Sequence, residues 1–198
     1  NNVGSEIPMG LTPAASGKLA FTTKEPIGLV LAISAFNHPL NLIVHQVAPA
    51  VATGCPVIVK PADDTPLSCK RFISILEEAG LPDGWAQMVC CDVELAQKMV
   101  TDSRFSFFSF IGSAKVGWKL RSLLPPGTRM ALEHGGAAPV VIDDTADVEL
   151  LVPKLGKGGF YHSGQVCVSV QRVFILGKNS EKIVSQLGHY AQNLIVGN

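Results

Sequence analysis

Residues 27–60 read IGLVLAISAFNHPLNLIVHQVAPAVATGCPVIVK, and this stretch decides the fold. The apolar run at 27–34 is typical of a buried strand. The apolar residues between Leu40 and Val51 then follow the three-and-four spacing of a helix face. A second apolar run, at 56–59, indicates the next strand. Because a helix separates the two strands, the stretch predicts a βαβ unit, whose strands run parallel.

The same alternation of strands and helices continues to about residue 124. Further strands are predicted at 87–90 and 105–110, and further helices at 66–79, 93–100 and 113–124. We therefore expect a parallel sheet with helices on both faces, and the carboxyl ends of its strands in one row, where ligands of such sheets bind. After Arg129 the pattern changes to short strands and glycine-rich segments, so we place a domain boundary near Leu132.

Composition narrows the range of functions. The 198 residues are 47% hydrophobic and 16% charged, which predicts a sizeable core. Sixteen basic residues balance sixteen acidic ones, so neither nucleic acid nor an anionic membrane is expected as a partner. No apolar run has the length of a membrane span, and the start has neither an initiator Met nor a signal-peptide layout, which indicates a truncated or processed chain. The five cysteines form no metal-type CxxC pair, so we expect no metal and reduced thiols in the cytoplasm.

Two segments could hold a nucleotide. Gly112-Ser113 lies at a strand-to-helix junction, where a glycine permits close approach of a phosphate and the helix N-terminus favours an anion. The same pattern also fits a capped helix with no ligand. At the end of an earlier strand, Lys60 can reach ribose hydroxyls and the nearby carboxylate of Asp63 can accept hydrogen bonds from them. That segment is equally compatible with a surface turn.

Two further residues could carry out chemistry. Cys167 closes the run Gly164-Gln165-Val166-Cys167, and the glycine and the polar glutamine favour an exposed turn. A lone cysteine is nevertheless most often a small buried apolar residue. Glu133 precedes the Gly135-Gly136 pair and is by default an ordinary surface carboxylate.

Taken together and in order, these segments resemble the aldehyde dehydrogenase superfamily, from about Glu25 to at least Ile175. The resemblance rests on five motifs: Phe36-Asn37-His38-Pro39, Lys60-Pro61-Ala62, Ile111-Gly112-Ser113, Glu133 through Pro139, and Gly164 through Cys167. It implies an α/β fold with a Rossmann-like parallel sheet and helices on both faces. Residues 1–131, including an N-terminal segment 1–24, would form the dinucleotide-binding domain. Residues 132–198 would begin a second α/β catalytic domain, truncated here.

The resemblance assigns catalytic roles to three residues. Cys167 would attack the aldehyde carbonyl as a thiolate and form a thiohemiacetal. The side-chain amide of Asn37 and the backbone N–H of Cys167 would stabilise the oxyanion. After hydride transfer to the nicotinamide, Glu133 would act as the general base that activates water to hydrolyse the thioester. The expected function is oxidation of a small-molecule aldehyde to a carboxylic acid.

The cofactor ligands follow from the same resemblance. Gly112 and Ser113 would hold the pyrophosphate, and Lys60 and Asp63 the adenosine ribose. Asp63 stands where the family more often has glutamate, which shortens its reach. Because a carboxylate near the 2′-hydroxyl repels a 2′-phosphate, NAD is expected, with NADP as the alternative.

Three other functions stay open at this point. A relative that acylates CoA would release the thioester with CoA instead of water, although Glu133 favours water. A catalytically silent relative would only bind nucleotide, which the presence of Cys167, Asn37 and Glu133 argues against. A thiol hydrolase would need a histidine partner for Cys167, and no spacing nominates one. Family members are longer and form homo-oligomers (dimers or tetramers), so we expect an oligomeric full-length enzyme and near inactivity of these 198 residues alone.

Overall fold

The computed structural model describes residues 4–197. By its internal contacts the chain forms two compact units. The first contains the residues up to Ile111 together with Lys115–Leu132, and the second contains Gly112–Ala114 together with the residues from Glu133 onward.

The elements alternate as the sequence predicts. Before the main sheet, β1 (Glu6–Ile7) pairs with β2 (Ala20–Phe21) in an antiparallel arrangement. The main sheet and its helices are β3 (Val30–Ile33), α1 (Pro39–Ala52), β4 (Val57–Lys60), α2 (Pro66–Glu78), β5 (Ala86–Met88), α3 (Val93–Val100), β6 (Phe107–Gly112), α4 (Ala114–Arg121) and β7 (Arg129–His134). The remaining elements are β8 (Ala138–Ile142), α5 (Val148–Phe160), a 3-10 turn (Tyr161–Gly164), β9 (Val170–Ile175) and α6 (Ser180–Gln192).

The main sheet has helices on both faces. Its strand order is β5-β4-β3-β6-β7, with β3 parallel to both β4 and β6, and β4 parallel to β5. Successive side chains of β3 point to opposite faces: Ala32 packs with α1 and α2, whereas Leu31 packs with residues of α3 and α4. Burial on both faces explains why the strand is apolar throughout. The prediction of a parallel α/β sheet is confirmed.

The strand order places the candidate cofactor residues at one edge of this sheet. β4 and β6 lie on opposite sides of β3, so the order in which strands are added to the sheet reverses direction at β3. Parallel sheets bind ligands at such a point, outside the carboxyl ends of the strands. Ile33 is level with Lys60 on one side and with Phe110 on the other. The segments that follow β3, β4 and β6 therefore begin side by side.

In the second unit, α5 and α6 pack over the parallel pair β8 and β9. Gly156 of α5 lies against the ring of Tyr190 in α6, so a larger side chain would overlap that ring. Glu149 of α5 accepts a hydrogen bond from Gln186 at 2.9 Å and pairs with Lys182 at 2.9 Å. The hydrogen bond from Gln186, followed by the hydrogen bond and charge of Lys182, holds the pKa of Glu149 below its ordinary value.

The first main strand is shorter than the predicted 27–34. It begins only at Val30, because Gly28 adopts a φ of 116°, outside the range of a β-strand, with the side chain of Ser106 against it. All five cysteines are free thiols. No group of three or more His, Cys, Asp or Glu side chains within residues 4–197 is arranged to hold a metal ion.

Among the helices that the structure describes, none is both long and apolar enough to cross a membrane.

Candidate active site

Lys60 and Asp63 form an ion pair at the carboxyl end of β4. The Nζ atom of Lys60 lies 2.6 Å from Oδ1 of Asp63 and also donates a hydrogen bond to the carbonyl of Pro61 at 3.2 Å. The lysine side chain is only 10% exposed, whereas that of Asp63 is 71% exposed. The structure therefore brings the two predicted ribose ligands together, with the cation held in place and the carboxylate open to solvent.

Asn37 lies between β3 and α1 and is half-buried. Its Oδ1 atom accepts a hydrogen bond from the backbone N–H of His38 at 3.2 Å. The bond directs the amide oxygen toward the start of α1. The other end of the amide is an N–H donor, the type of group that stabilises an oxyanion.

Gly112 and Ser113 join β6 to α4, as the sequence predicts. Gly112 is the last residue of β6, and α4 begins at Ala114, directly after Ser113. The first N–H groups of a helix have no partner within the helix, so they favour an anion at this position. Ser113 is exposed.

Two buried hydroxyls at the same edge of the sheet fit a polar ligand. Ser34 follows β3 directly and is 6% exposed, and Thr65 precedes α2 in the loop after β4. Within the described part of the chain, neither Ser34 Oγ nor Thr65 Oγ1 has a hydrogen-bond partner. Buried polar atoms are nearly always paired, so a hydroxyl-rich or phosphate-bearing cofactor suits this edge of the sheet.

The loop that carries Cys167 has an unusual backbone. His162, Ser163 and Gly164 have φ values of 52°, 55° and 71°, all in the left-handed region. Two of these three residues are not glycine, and each such residue costs about 1–3 kcal/mol. The turn closes with hydrogen bonds from Gln165 N–H to His162 O at 3.0 Å and from Ser169 N–H to Val166 O at 2.9 Å.

A buried serine fastens this loop to α5. The hydroxyl of Ser169 donates to the carbonyls of Gly159, at 3.1 Å, and Gly158, at 3.4 Å. Both glycines lie against Val170: a Cβ atom on Gly158 would be 3.0 Å from its Cγ2, and one on Gly159 would be 3.4 Å from its carbonyl oxygen. The lack of side chains at 158 and 159 therefore lets the end of α5 approach the loop, and Cys167 is exposed on a segment fixed at its base.

The Glu-x-Gly-Gly segment passes next to the same loop. A Cβ atom on Gly136 would lie 3.4 Å from the backbone oxygen of Cys167, so the second glycine of the motif leaves just enough room for the loop. Glu133 itself is exposed in the last part of β7. The structure thus brings together, within the second unit, two motifs that are separated by 27 residues of sequence, 137–163.

Three polar residues near these motifs were not identified from the sequence. Gln46 is 6% exposed, and its amide donates to backbone and side-chain oxygens of β3 and β6. Ser34 and Ser169 are also buried. The available signal for Gln46 was a polar residue on the buried face of a helix, between Ile43 and Ala50.

Comparison with known proteins agrees with this arrangement. The model of the aldehyde dehydrogenase family matches residues 4–198. The chain is 35% identical over 197 residues to 3-sulfolactaldehyde dehydrogenase of Priestia aryabhattai, an alignment that covers 98% of the chain and 41% of that protein. The chain thus spans well under half the length of this relative.

Two solved structures show the same fold with a nicotinamide cofactor. The NADP complex of an NADP-dependent glyceraldehyde-3-phosphate dehydrogenase from Bacillus halodurans superposes with a TM-score of 0.90 at 31% identity, covering 100% of the chain and 42% of that protein. The NAD⁺ complex of betaine aldehyde dehydrogenase from Staphylococcus aureus also has a TM-score of 0.90, at 30% identity, covering 100% and 39%.

Proposed function

The chain belongs to the aldehyde dehydrogenase family, and from that premise we propose that the full-length protein oxidises an aldehyde to a carboxylic acid through a thioester on Cys167. The observation that carries the proposal is the loop of Cys167: the thiol is exposed, the loop is fastened to α5 by Ser169, and the Gly136 segment lies against it. A nucleophile needs both exposure and a fixed position.

In the first step, the thiolate of Cys167 forms a bond to the carbonyl carbon, and the carbonyl π electrons move to oxygen. The amide of Asn37 and the backbone N–H of Cys167 would donate hydrogen bonds to this oxyanion. We expect Asn37→Ala to lower kcat by about 10²–10³, the usual effect of removing one such donor. Asn41→Ala, an exposed asparagine on α1, is the matched control. An unchanged kcat in Asn37→Ala would contradict this role.

The cofactor ligands would be Gly112 and Ser113 for the pyrophosphate, and Lys60 and Asp63 for the adenosine ribose. When bound, the nicotinamide ring supplies the hydride acceptor of the reaction. Family structures contain NAD or NADP. The exposed carboxylate of Asp63 supports NAD, because it would repel a 2′-phosphate. Asp63→Asn should bring the dissociation constants of NAD and NADP closer together, and tighter binding of NADP by the wild type would overturn the choice.

Glu133 would remove a proton from water as the water attacks the thioester carbon, and the thiolate of Cys167 would then leave. This role favours hydrolysis over transfer to CoA. Product analysis separates the two outcomes: a free acid formed without CoA supports the role of Glu133, and an acyl-CoA formed only in its presence contradicts it.

The remaining assignments rest on the sequence pattern and on family membership. We propose residues 1–131 as the dinucleotide-binding domain and residues 132–198 as the beginning of the catalytic domain. The homo-oligomeric state and the cytoplasmic location are also proposals, and sedimentation of the full-length protein tests the first. The isolated 198 residues should show almost no turnover.

The deciding experiment follows NADH absorbance at 340 nm with the full-length protein, NAD and a panel of short aldehydes. Cys167→Ala should abolish turnover, whereas Cys90→Ala, which removes another exposed thiol, should not. Turnover that survives in Cys167→Ala would refute the covalent mechanism. If NAD binds but no aldehyde of the panel is oxidised, the protein is a silent nucleotide-binding relative or acts on an aldehyde outside the panel.

A further inference from the structure

A small cavity lies beside the loop that carries Cys167. Its volume is about 340 Å³, and its walls include Val166 and Val168, the two residues that flank the cysteine in the chain. Its other walls include Lys154 and Lys157 from the last turns of α5, and Tyr161 at the start of the 3-10 turn that follows. The cavity is open to solvent and at the small end of those that bind ligands, so it suits a short molecule or one end of a longer one.

The charged side chains that line this cavity, Lys154 and Lys157, are both positive. Lys154 and Lys157 are three residues apart on α5 and thus share a helix face. No carboxylate is among the described residues that line the cavity. Across residues 4–197, neither lysine has an ion-pair partner. Like charges three residues apart on a helix repel each other, and an anion bound by both lysines would relieve that repulsion.

The position of the cavity connects this charge to the reaction. Ser169 also lines the cavity, and its hydroxyl fastens the cysteine loop to Gly158 and Gly159 of α5. The same hydrogen bonds therefore fix the positions of the cavity walls and of the cysteine loop. Cys167 itself does not line the cavity, but both of its chain neighbours do, so a substrate bound at the thiol with its far end in this cavity would meet the lysines. The apolar walls made by Val166 and Val168 suit the short carbon chain between the two ends.

We propose that Lys154 and Lys157 form an anion subsite, and that the substrate is a short aldehyde with an oxyanion group (carboxylate, sulfonate or phosphate) at its far end. The proposal rests on the proposed function of Cys167 and adds the substrate class. A lysine ammonium is a compact charge with three N–H donors, so its charge does not discriminate among carboxylate, sulfonate and phosphate. The size of the group would set the relative affinities.

The test compares matched aldehydes with the full-length protein. Succinic semialdehyde is the anionic probe and butanal the neutral probe of the same chain length, with sulfonate and phosphate analogues as additional arms. The double variant Lys154→Gln, Lys157→Gln should lose roughly tenfold to a hundredfold in kcat/KM for the anionic aldehydes and change little for butanal. Lys157→Arg should retain the preference. Lys178→Gln is the control, since it removes one exposed lysine of the same unit that does not line the cavity.

A second readout does not require turnover. Succinate should slow the alkylation of Cys167 by iodoacetamide in the wild type and in Lys178→Gln, but not in the double lysine variant. Equal losses for anionic and neutral aldehydes, or protection that survives in the double variant, would overturn the anion subsite. If no aldehyde is oxidised but succinate protects only through the lysines, the subsite stands and the proposed oxidation is wrong.

Discussion

Gln46 ties the central strands of the main sheet together, and its replacement by methionine tests that role. The Nε2 atom of Gln46 donates to Ile33 O at 3.2 Å, Ser109 O at 3.1 Å and Ser109 Oγ at 3.0 Å. Ile33 ends β3 and Ser109 lies in β6, so one side chain of α1 bridges both strands. Methionine has a similar shape and no donor, and the change therefore removes the hydrogen bonds with little change in packing.

The expected fall in the free energy of unfolding follows from the number of hydrogen bonds that are lost. The amide has two protons, each worth about 1 kcal/mol net in a buried hydrogen bond. Acceptors left without a donor increase the loss, whereas removal of Oε1, which has no partner in the described part of the chain, reduces it. We expect the free energy of unfolding to fall by about 2 kcal/mol. With a urea m-value of about 2 kcal/mol/M, the midpoint should fall by about 1 M.

Tryptophan fluorescence during urea unfolding is the assay, because Trp85 and Trp118 are the two tryptophans of the chain and both belong to the first unit. His45→Met is the control, since His45 is the exposed neighbour on α1, and its effect should stay within about 0.5 kcal/mol. If Gln46→Met and His45→Met have the same midpoint, the bridge contributes nothing and the reasoning is wrong.

Three further outcomes are expected. Ser169→Ala should loosen the loop at 162–169 and lower the kcat/KM of the full-length protein by about tenfold through the loss of roughly one hydrogen bond, and an unchanged value would remove Ser169 from the positioning of Cys167. Iodoacetamide at pH 8 should label Cys167 in the folded chain but not Cys69, because burial, with a smaller contribution from Cys90, raises the pKa of Cys69 to about 12; mass spectrometry of the labelled peptides checks this. Glu149→Gln should lower the urea midpoint of the second unit near pH 7, followed by circular dichroism because both tryptophans lie in the first unit. The folded pKa of Glu149 is lowered, so its contribution is present above its ordinary value of 4.5 and is lost as the pH falls from there through the lowered folded value; a difference from the wild type that does not shrink as the pH falls below 4.5 would contradict the assignment.

Local sequence signals were sufficient to predict the sheet and its helices. The helix expected near 93–100 is found as Val93–Val100, and its start is fixed by Asp92, whose carboxylate accepts a hydrogen bond from Leu95 N–H at 2.8 Å. Apolar periodicity and capping act over a few residues, and both can therefore be identified in one segment of sequence.

Contacts between distant segments could not be predicted in the same way. The sequence shows that Lys154 and Lys157 share a helix face, but not that this face borders a cavity next to Val166 and Val168. That arrangement depends on the close approach of α5 and β9, which in turn depends on glycines and a buried serine whose partners are ten or more residues away. Periodicity reports which side of a helix is buried, not what covers it.

The pairing of the central strand also has a consequence for the order of folding. Val30 of β3 pairs with Val57 across the single crossover α1, but with Phe107 only after a far longer stretch of chain that includes two more helices and two more strands. Closing the shorter loop loses less chain entropy, so β3 and β4 should associate before β6 joins them. Pulsed amide-exchange labelling during refolding should therefore show protection of the Ser34 N–H, which donates to Lys60 O of β4, earlier than protection of the Ser106 N–H, which donates to Leu29 O next to β3. Simultaneous protection would indicate that the five strands assemble in one step.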